Sequence, residues 1–180
     1  MRLRSISYSQ FEGAPEEWTL SGLTLQNLTL LVGKNASGKS RILNVIHRLA
    51  LAIANKRSLS NSHFILVFDE NGKESNYELD IRESKIALET FAVDGELKLE
   101  RGTGGKGKIF AEKEYKHIEF QTPENQLAVV ARRDTIQHPF FEPLHQWASS
   151  LYHYAFNTPM GKEPLAFFGF FAHFSGCCLI

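Results

Sequence analysis

The spacing of apolar positions changes three times along this chain. From Arg2 to Tyr8 they alternate loosely, which predicts a strand, and Phe11 to Ser21, with Gly13 and Pro15, reads as a loop. Leu23 to Val32 reads as a second strand. Beyond it Ile42, Val45, Ile46, Leu49 and Ile53 recur at steps of three and four, predicting a helix from Ser40 to about Lys56. Arg57 to Ser62 is polar and turn-like. From His63 the period falls to two: Phe64 to Phe68 is an apolar strand, and Tyr77, Leu79 and Ile81 alternate with Glu78 and Asp80. Asn71-Gly72 and Asp94-Gly95 are hairpin signals, with Leu97 and Leu99 alternating after the second. Gly102 to Gly107 is a glycine-rich loop, and Ile109-Phe110 and Ile118 to Phe120 are further short strands. Residues 63–121 therefore predict an antiparallel meander. After Pro123 helical spacing returns, in Gln126 to Arg132 and then in Phe140 to Tyr154 with Leu144, Trp147, Ala148 and Leu151. Pro164 to Ile180 is strongly apolar and aromatic.

Composition narrows the functional classes. A chain of 180 residues can bury a sizeable core. Its formal net charge is zero, so no global basic bias points to nucleic acid. Both cysteines, Cys177 and Cys178, are adjacent, which builds no disulfide framework and fits a reducing cytosol. Arg2 and Arg4 are followed by no long apolar run, so no signal peptide is expected. The expected location is cytoplasmic, with no membrane contact.

The chemistry concentrates in Gly33-Lys34-Asn35-Ala36-Ser37-Gly38-Lys39-Ser40, which reads G-x-x-x-x-G-K-S. The apolar run Leu28 to Val32 leads into it and the predicted helix leads out. Strand, glycine-rich turn and helix is the order that phosphate binding needs. Glycines let the backbone curl until its N–H groups face a phosphate chain, and the helix start adds unpaired N–H groups and the positive end of its dipole. Lys39 would reach the β- and γ-phosphates and stabilise charge on the transferring phosphoryl group, and the Ser40 hydroxyl would hold Mg²⁺. The expected ligands are ATP and Mg²⁺. The expected binding set runs from Gly33, Lys34, Asn35, Ala36 and Ser37 through Gly38, Lys39 and Ser40 to Arg41.

The chain resembles the N-terminal half of ABC-type, SMC-like AAA family ATPases, including the recombination-mediator, OLD-type and phage-defence ATPases of prokaryotes. Asn35 gives the loop the form G-x-N-x-x-G-K-S common in that group, the loop comes early, and a β meander follows its helix directly. The resemblance covers roughly residues 1–155. It implies an α/β fold: a P-loop NTPase core (1–62), an antiparallel β subdomain (63–121), a partial helical lobe (122–160) and an apolar tail (161–180). It also implies a second ATPase protomer sandwiching the nucleotide, with coupling to DNA or to an effector such as a nuclease. The family's Walker B Asp-Glu pair and Ser-Gly signature normally lie beyond the helical lobe, and this chain ends first. ATPase activity is therefore expected once those motifs come from elsewhere, and the tail reads as a truncation. Gln121 or Gln126 falls where the family's metal-linking glutamine would.

Other motifs leave alternatives open. Phe64 to Glu70 has the letters of a Walker B strand, with Asp69 on Mg²⁺ and Glu70 orienting water. However, Asn71-Gly72 follows at once, and a hairpin would pair Glu70 with Lys73 at its exposed end. Phe174-Ser175-Gly176 faintly echoes the signature, and Cys177 to Ile180 a prenylation box. His138, His145 and His153 do not share a helix face, and Arg132-Arg133-Asp134 reads as a solvated helix end. Tyr8 or Phe11 could stack on adenine or simply pack. Two further functional readings are a non-hydrolysing nucleotide-binding fragment or regulatory subunit, and a small-molecule kinase on the same loop.

Overall fold

The computed structural model describes residues 1–153. Two strands, β1 (Arg2–Gln10) and β2 (Trp18–Thr24), form a hairpin and lead to helix α1 (Lys39–Ile53). Six strands then run in sequence: β3 (Ser62–Glu70), β4 (Lys73–Arg82), β5 (Lys85–Val93), β6 (Glu96–Arg101), β7 (Lys106–Ala111) and β8 (Lys116–Gln121). Short α2 (Ala128–Ala131), a 3₁₀ turn (Pro139–Phe141) and α3 (Glu142–Ser150) close the described chain. All the strands belong to one antiparallel sheet of order β2-β1-β3-β4-β5-β6-β7-β8.

This architecture corrects the fold class expected from the sequence. The described residues form no parallel sheet of an α/β P-loop NTPase core; they form one eight-stranded antiparallel sheet with few helices. Physically, the difference turns on Leu28 to Val32. A strand needs a ladder partner for its backbone groups. Here β1 has β2 on one side and β3 on the other, and β2 ends at Thr24. One further bond, from the Leu25 N–H to the Arg4 carbonyl (2.7 Å), extends the pairing, and then the Gln26 N–H turns to the Thr29 hydroxyl at 2.9 Å. Leu28, Leu30 and Val32 are left 85%, 81% and 78% exposed.

Turn chemistry sets the register of the meander. Asn71 (φ 54°) and Gly72 (φ 86°) form the tight β3–β4 turn, and Glu70 sits opposite Lys73. Asp94 (φ 49°) and Gly95 (φ 79°) do the same between β5 and β6. The β4–β5 turn places Glu83 (φ 51°) and Ser84 (φ 60°) in the left-handed region without a glycine or asparagine.

The sheet buries one face, where α1, α2 and α3 lie. On β3 the buried Phe64, Leu66 and Phe68 alternate with residues such as Ile65 on the open face. From α1 the core takes Val45, Ile46, Leu49, Ala50 and Ile53; from α3 it takes Leu144, Trp147 and Ala148. Trp147 meets Phe68 edge-on at 4.9 Å, and Phe141 meets Phe91 at 5.6 Å.

A buried ion pair ties the segment after β8 to this face. Glu89 on β5 and Arg101 on β6 are direct cross-strand neighbours, both 0% exposed, with a 3.4 Å contact between their charged groups. The Glu89 carboxylate accepts the N–H groups of Ala128 (2.7 Å) and Val129 (3.0 Å) and the Tyr77 hydroxyl (3.2 Å). Arg101 donates to the carbonyls of Pro123 and Gln126. Burial pushes the Glu89 carboxyl above its usual range, while the two amides, Arg101 and Tyr77 pull it down. Gly105 seals the same corner: a Cβ there would sit 1.9 Å from the Thr122 carbonyl oxygen.

Replacing Arg101 with methionine strands a buried carboxylate and two carbonyls. Arg101→Met is expected to cost about 3–5 kcal/mol in urea denaturation. Glu89→Gln combined with Arg101→Met should cost less than the sum of the singles, and strict additivity would show that the pair is not coupled.

His145 supplies a pH test. Its Nε2 bonds the Val129 carbonyl at 2.8 Å, and burial lowers its pKa below 6.5, with Arg133 acting in the same direction. The unfolded chain therefore takes up this proton first as pH falls. The His145 contribution is fully present above the ordinary histidine value of 6.5 and is lost as pH drops through the lowered folded value. Between pH 7.5 and 5.5 the wild type should lose more stability than His145→Gln; His47, also lowered, remains in both proteins.

Candidate functional site

The loop Gly33 to Ser40 connects the exposed run after β2 to the start of α1, and its curl is carried by particular backbone angles. Ala36 (φ 63°) and Gly38 (φ 88°) are left-handed, and Gly38 is the residue from which α1 begins. Gly33 closes the other end: a Cβ there would stand 2.8 Å from the Ser37 hydroxyl oxygen and 4.0 Å from the Lys39 ammonium nitrogen. Lys39 folds back across the loop. Its Nζ donates to the carbonyls of Gly33 and Lys34, each at 2.7 Å, and to the Ser37 hydroxyl at 3.2 Å.

Three features of this arrangement suit an anionic ligand. No side chain caps α1 and no acidic residue lies in its first turn. The N–H groups of Lys39, Ser40 and Arg41 consequently lack helical acceptors, and the dipole's positive end is bare. An ammonium group is already gathered at the same place. Lys34, Asn35, Ala36 and Ser37 are exposed along the loop, and Ser40 presents its hydroxyl on the first exposed turn. The donors therefore fit a phosphate chain. The Ser40 oxygen fits Mg²⁺ held jointly with phosphates rather than in a protein cage; among the described residues no group of three or more His, Cys, Asp or Glu side chains could hold a metal.

A side chain that the sequence left in a loop completes the wall. Trp18 opens β2, and its ring comes within 3.7 Å of the Cβ position of Gly38. The Arg41 guanidinium stacks over that ring at 4.5 Å and donates to the Gln10 side-chain oxygen at 3.1 Å. The only hint in sequence is an aromatic residue well upstream of the loop, a signal too common to single it out. Tyr8 sits in the core, 6% exposed, edge-on to Phe64 at 4.7 Å; Phe11 lies beyond the end of β1 with φ 53°.

The remaining candidates are not brought to the loop. Asp69 and Glu70 end β3. The other end of that strand, at Ser62, faces Gln10, the partner of Arg41. Asp69 lies seven residue steps along the strand from Ser62, about 24 Å. Asp69 instead accepts the Gly72 N–H at 3.0 Å and pairs with Arg2, and Glu70 pairs with the N-terminal ammonium. Gln121 ends β8, the edge opposite β2, and donates to the Gly104 carbonyl; Gln126 contributes its own carbonyl to Arg101. His138 bonds the Phe110 carbonyl at 3.0 Å, His145 the Val129 carbonyl, and His153 packs on His47. Arg133 forms a two-pronged pair with Glu142, while Arg132 bonds the Gln121 carbonyl. The signature-like Phe174-Ser175-Gly176, the Cys177 to Ile180 ending and the apolar tail lie outside the described residues.

Protein-family models, curated proteins and solved structures were compared with this chain, and none matches. Among the described residues no helix is long and apolar enough to cross a membrane.

The left-handed start of α1 predicts a cost for a side chain there. Gly38→Ala should lose about 1–2 kcal/mol in thermal or urea denaturation. Lys39→Ala, which removes a half-buried side chain and its three bonds across the loop, should cost about 1 kcal/mol.

Proposed function

We propose that this chain binds ATP with Mg²⁺ through the Gly33–Ser40 loop, and that hydrolysis requires groups supplied by a second ATPase protomer. One observation carries the binding half. The Lys39 ammonium is held across a left-handed glycine loop at the uncapped start of a 15-residue helix. In this reading Lys39 exchanges the Gly33 and Lys34 carbonyls for phosphate oxygens, and the amides at the helix start take the adjoining oxygens. Ser40 lends its hydroxyl to Mg²⁺, whose charge offsets that of the phosphates.

The need for a second protomer rests on where the carboxylates are. A phosphoryl acceptor water needs a base or an orienting group beside the γ-phosphate. Asp69 and Glu70 close a hairpin at the far end of β3 and are engaged with Arg2, Gly72 and the N-terminus. The exposed Leu28, Leu30 and Val32, immediately before the loop, support the presence of a covering partner on this side. In an assembly of the kind that the loop's G-x-N-x-x-G-K-S form resembles, nucleotide binding would close the pair and pass the change to DNA or an effector nuclease.

Titration calorimetry of the full chain with ATP and Mg²⁺ should show saturable binding. Lys39→Ala should weaken it by about tenfold or more, the worth of charge-assisted hydrogen bonds. Equal affinity in that variant would overturn the assignment. The isolated chain should bind ATP but release no phosphate above the uncatalysed background. Turnover abolished by Asp69→Ala or Glu70→Ala would refute the two-protomer half alone.

A further inference from the structure

Beside α1, past the phosphate loop, lies a separate pocket of about 170 Å³. Arg41, Asn44 and Arg48 line one wall. Their spacing of three and four places them on a single helix face, and the two arginines are about 10 Å apart along the axis. Gln10, which accepts from Arg41, and Ser60 also line it, and Tyr8 and Phe64 contribute an aromatic floor. The wall is cationic and the floor apolar.

Both arginines reach this space without a carboxylate. Arg2, Arg82, Arg101 and Arg133 each pair with Asp or Glu, whereas Arg41 and Arg48 have no such partner among the described residues. Arg41 is held in place by the Trp18 face and by one bond to the Gln10 side chain, which leaves its remaining N–H groups for a ligand. Tyr8 senses both charges. Burial pushes its hydroxyl pKa up, while Arg48 and Arg41 pull it back down, so the group stays a neutral donor beside them. Two guanidinium forks, an amide and a hydroxyl around one small volume match the tetrahedral, multiply charged oxygens of a phosphate.

We infer that this pocket binds the terminal phosphate of a small phosphomonoester, its apolar body set against the Tyr8–Phe64 floor. The pocket adjoins the Gly33–Ser40 loop and shares Arg41 with the start of α1, but Asn44, Arg48 and Ser60 lie outside the loop, so its occupation does not require ATP. A pocket lined by α1, β1, the 59–61 segment and the start of β3 suits a chain end better than a continuous strand of nucleic acid, which needs an exit on both sides.

The test uses the full chain carrying Lys39→Ala, so that the phosphate loop contributes little. Calorimetric titration with phenyl phosphate and with inorganic phosphate should give saturable binding, tighter for phenyl phosphate. Adding Arg48→Gln should weaken phenyl phosphate binding by about tenfold or more, and Arg48→Lys, which keeps the charge without the fork, should fall between. Circular dichroism identifies any variant that fails to fold. Asn44→Asp, at an exposed helix position, provides an independent check by introducing a repelling charge. Absence of saturable binding in the Lys39→Ala protein would overturn the inference, as would equal affinity in Arg48→Gln. A 5′-phosphorylated oligonucleotide should bind better than its 5′-hydroxyl counterpart. Equal binding of the two would assign the arginines to a nucleic-acid backbone and refute the phosphomonoester pocket.

Discussion

The Glu89–Arg101 pair is the constraint on which the arrangement of the helical layer rests. Two opposite charges, both fully buried on adjacent strands, would be expensive if they satisfied only each other. They do more. The carboxylate accepts the first amides of α2, and the guanidinium donates to the carbonyls that precede it. The chain leaving β8 is thereby bent back over the apolar face, and the 3₁₀ turn and α3 follow with Phe141 and Trp147 seated on Phe91 and Phe68. α3 then lies against α1.

That neighbour matters for the phosphate loop, which has little support of its own. Gly33 to Ser40 is largely exposed, and its internal bonds come mainly from one lysine side chain. Its position is inherited from α1, whose Leu49 and Ile53 are fully buried at the opposite end of the helix from the loop. A rigid rod anchored in the core thus presents a soft, donor-rich end to solvent. Trp18 and Arg41 brace that end against the sheet without filling it.

Legibility in the sequence followed the range of the interactions involved. The Asn71-Gly72 and Asp94-Gly95 turns declare themselves because positive φ angles select asparagine, aspartate and glycine. The Glu83-Ser84 turn adopts the same angles with residues that carry no such preference, held by cross-strand pairing on both sides and by the Asn61 side chain, which accepts the Ser84 N–H. Trp18 was hidden for a related reason: its role depends on a hairpin partner in β1 and a helix twenty residues on. Glu89 and Arg101 look like ordinary polar positions of an alternating meander. Only the return of residues 122–129 encloses them.

The sequence by itself determined the local chemistry: the curled glycine loop with Lys39 and Ser40, the helix after it, and the alternation of the meander. Each is written in contacts within a few residues or in a simple period. Tertiary structure alone decided that β1 and β2 join the meander in one antiparallel sheet, that Leu28 to Val32 stays unpaired, and that Asp69 and Glu70 lie far from the loop. Ladder partners, and the separation of two ends of one strand, are properties of distant segments brought together. No local pattern of residues encodes them.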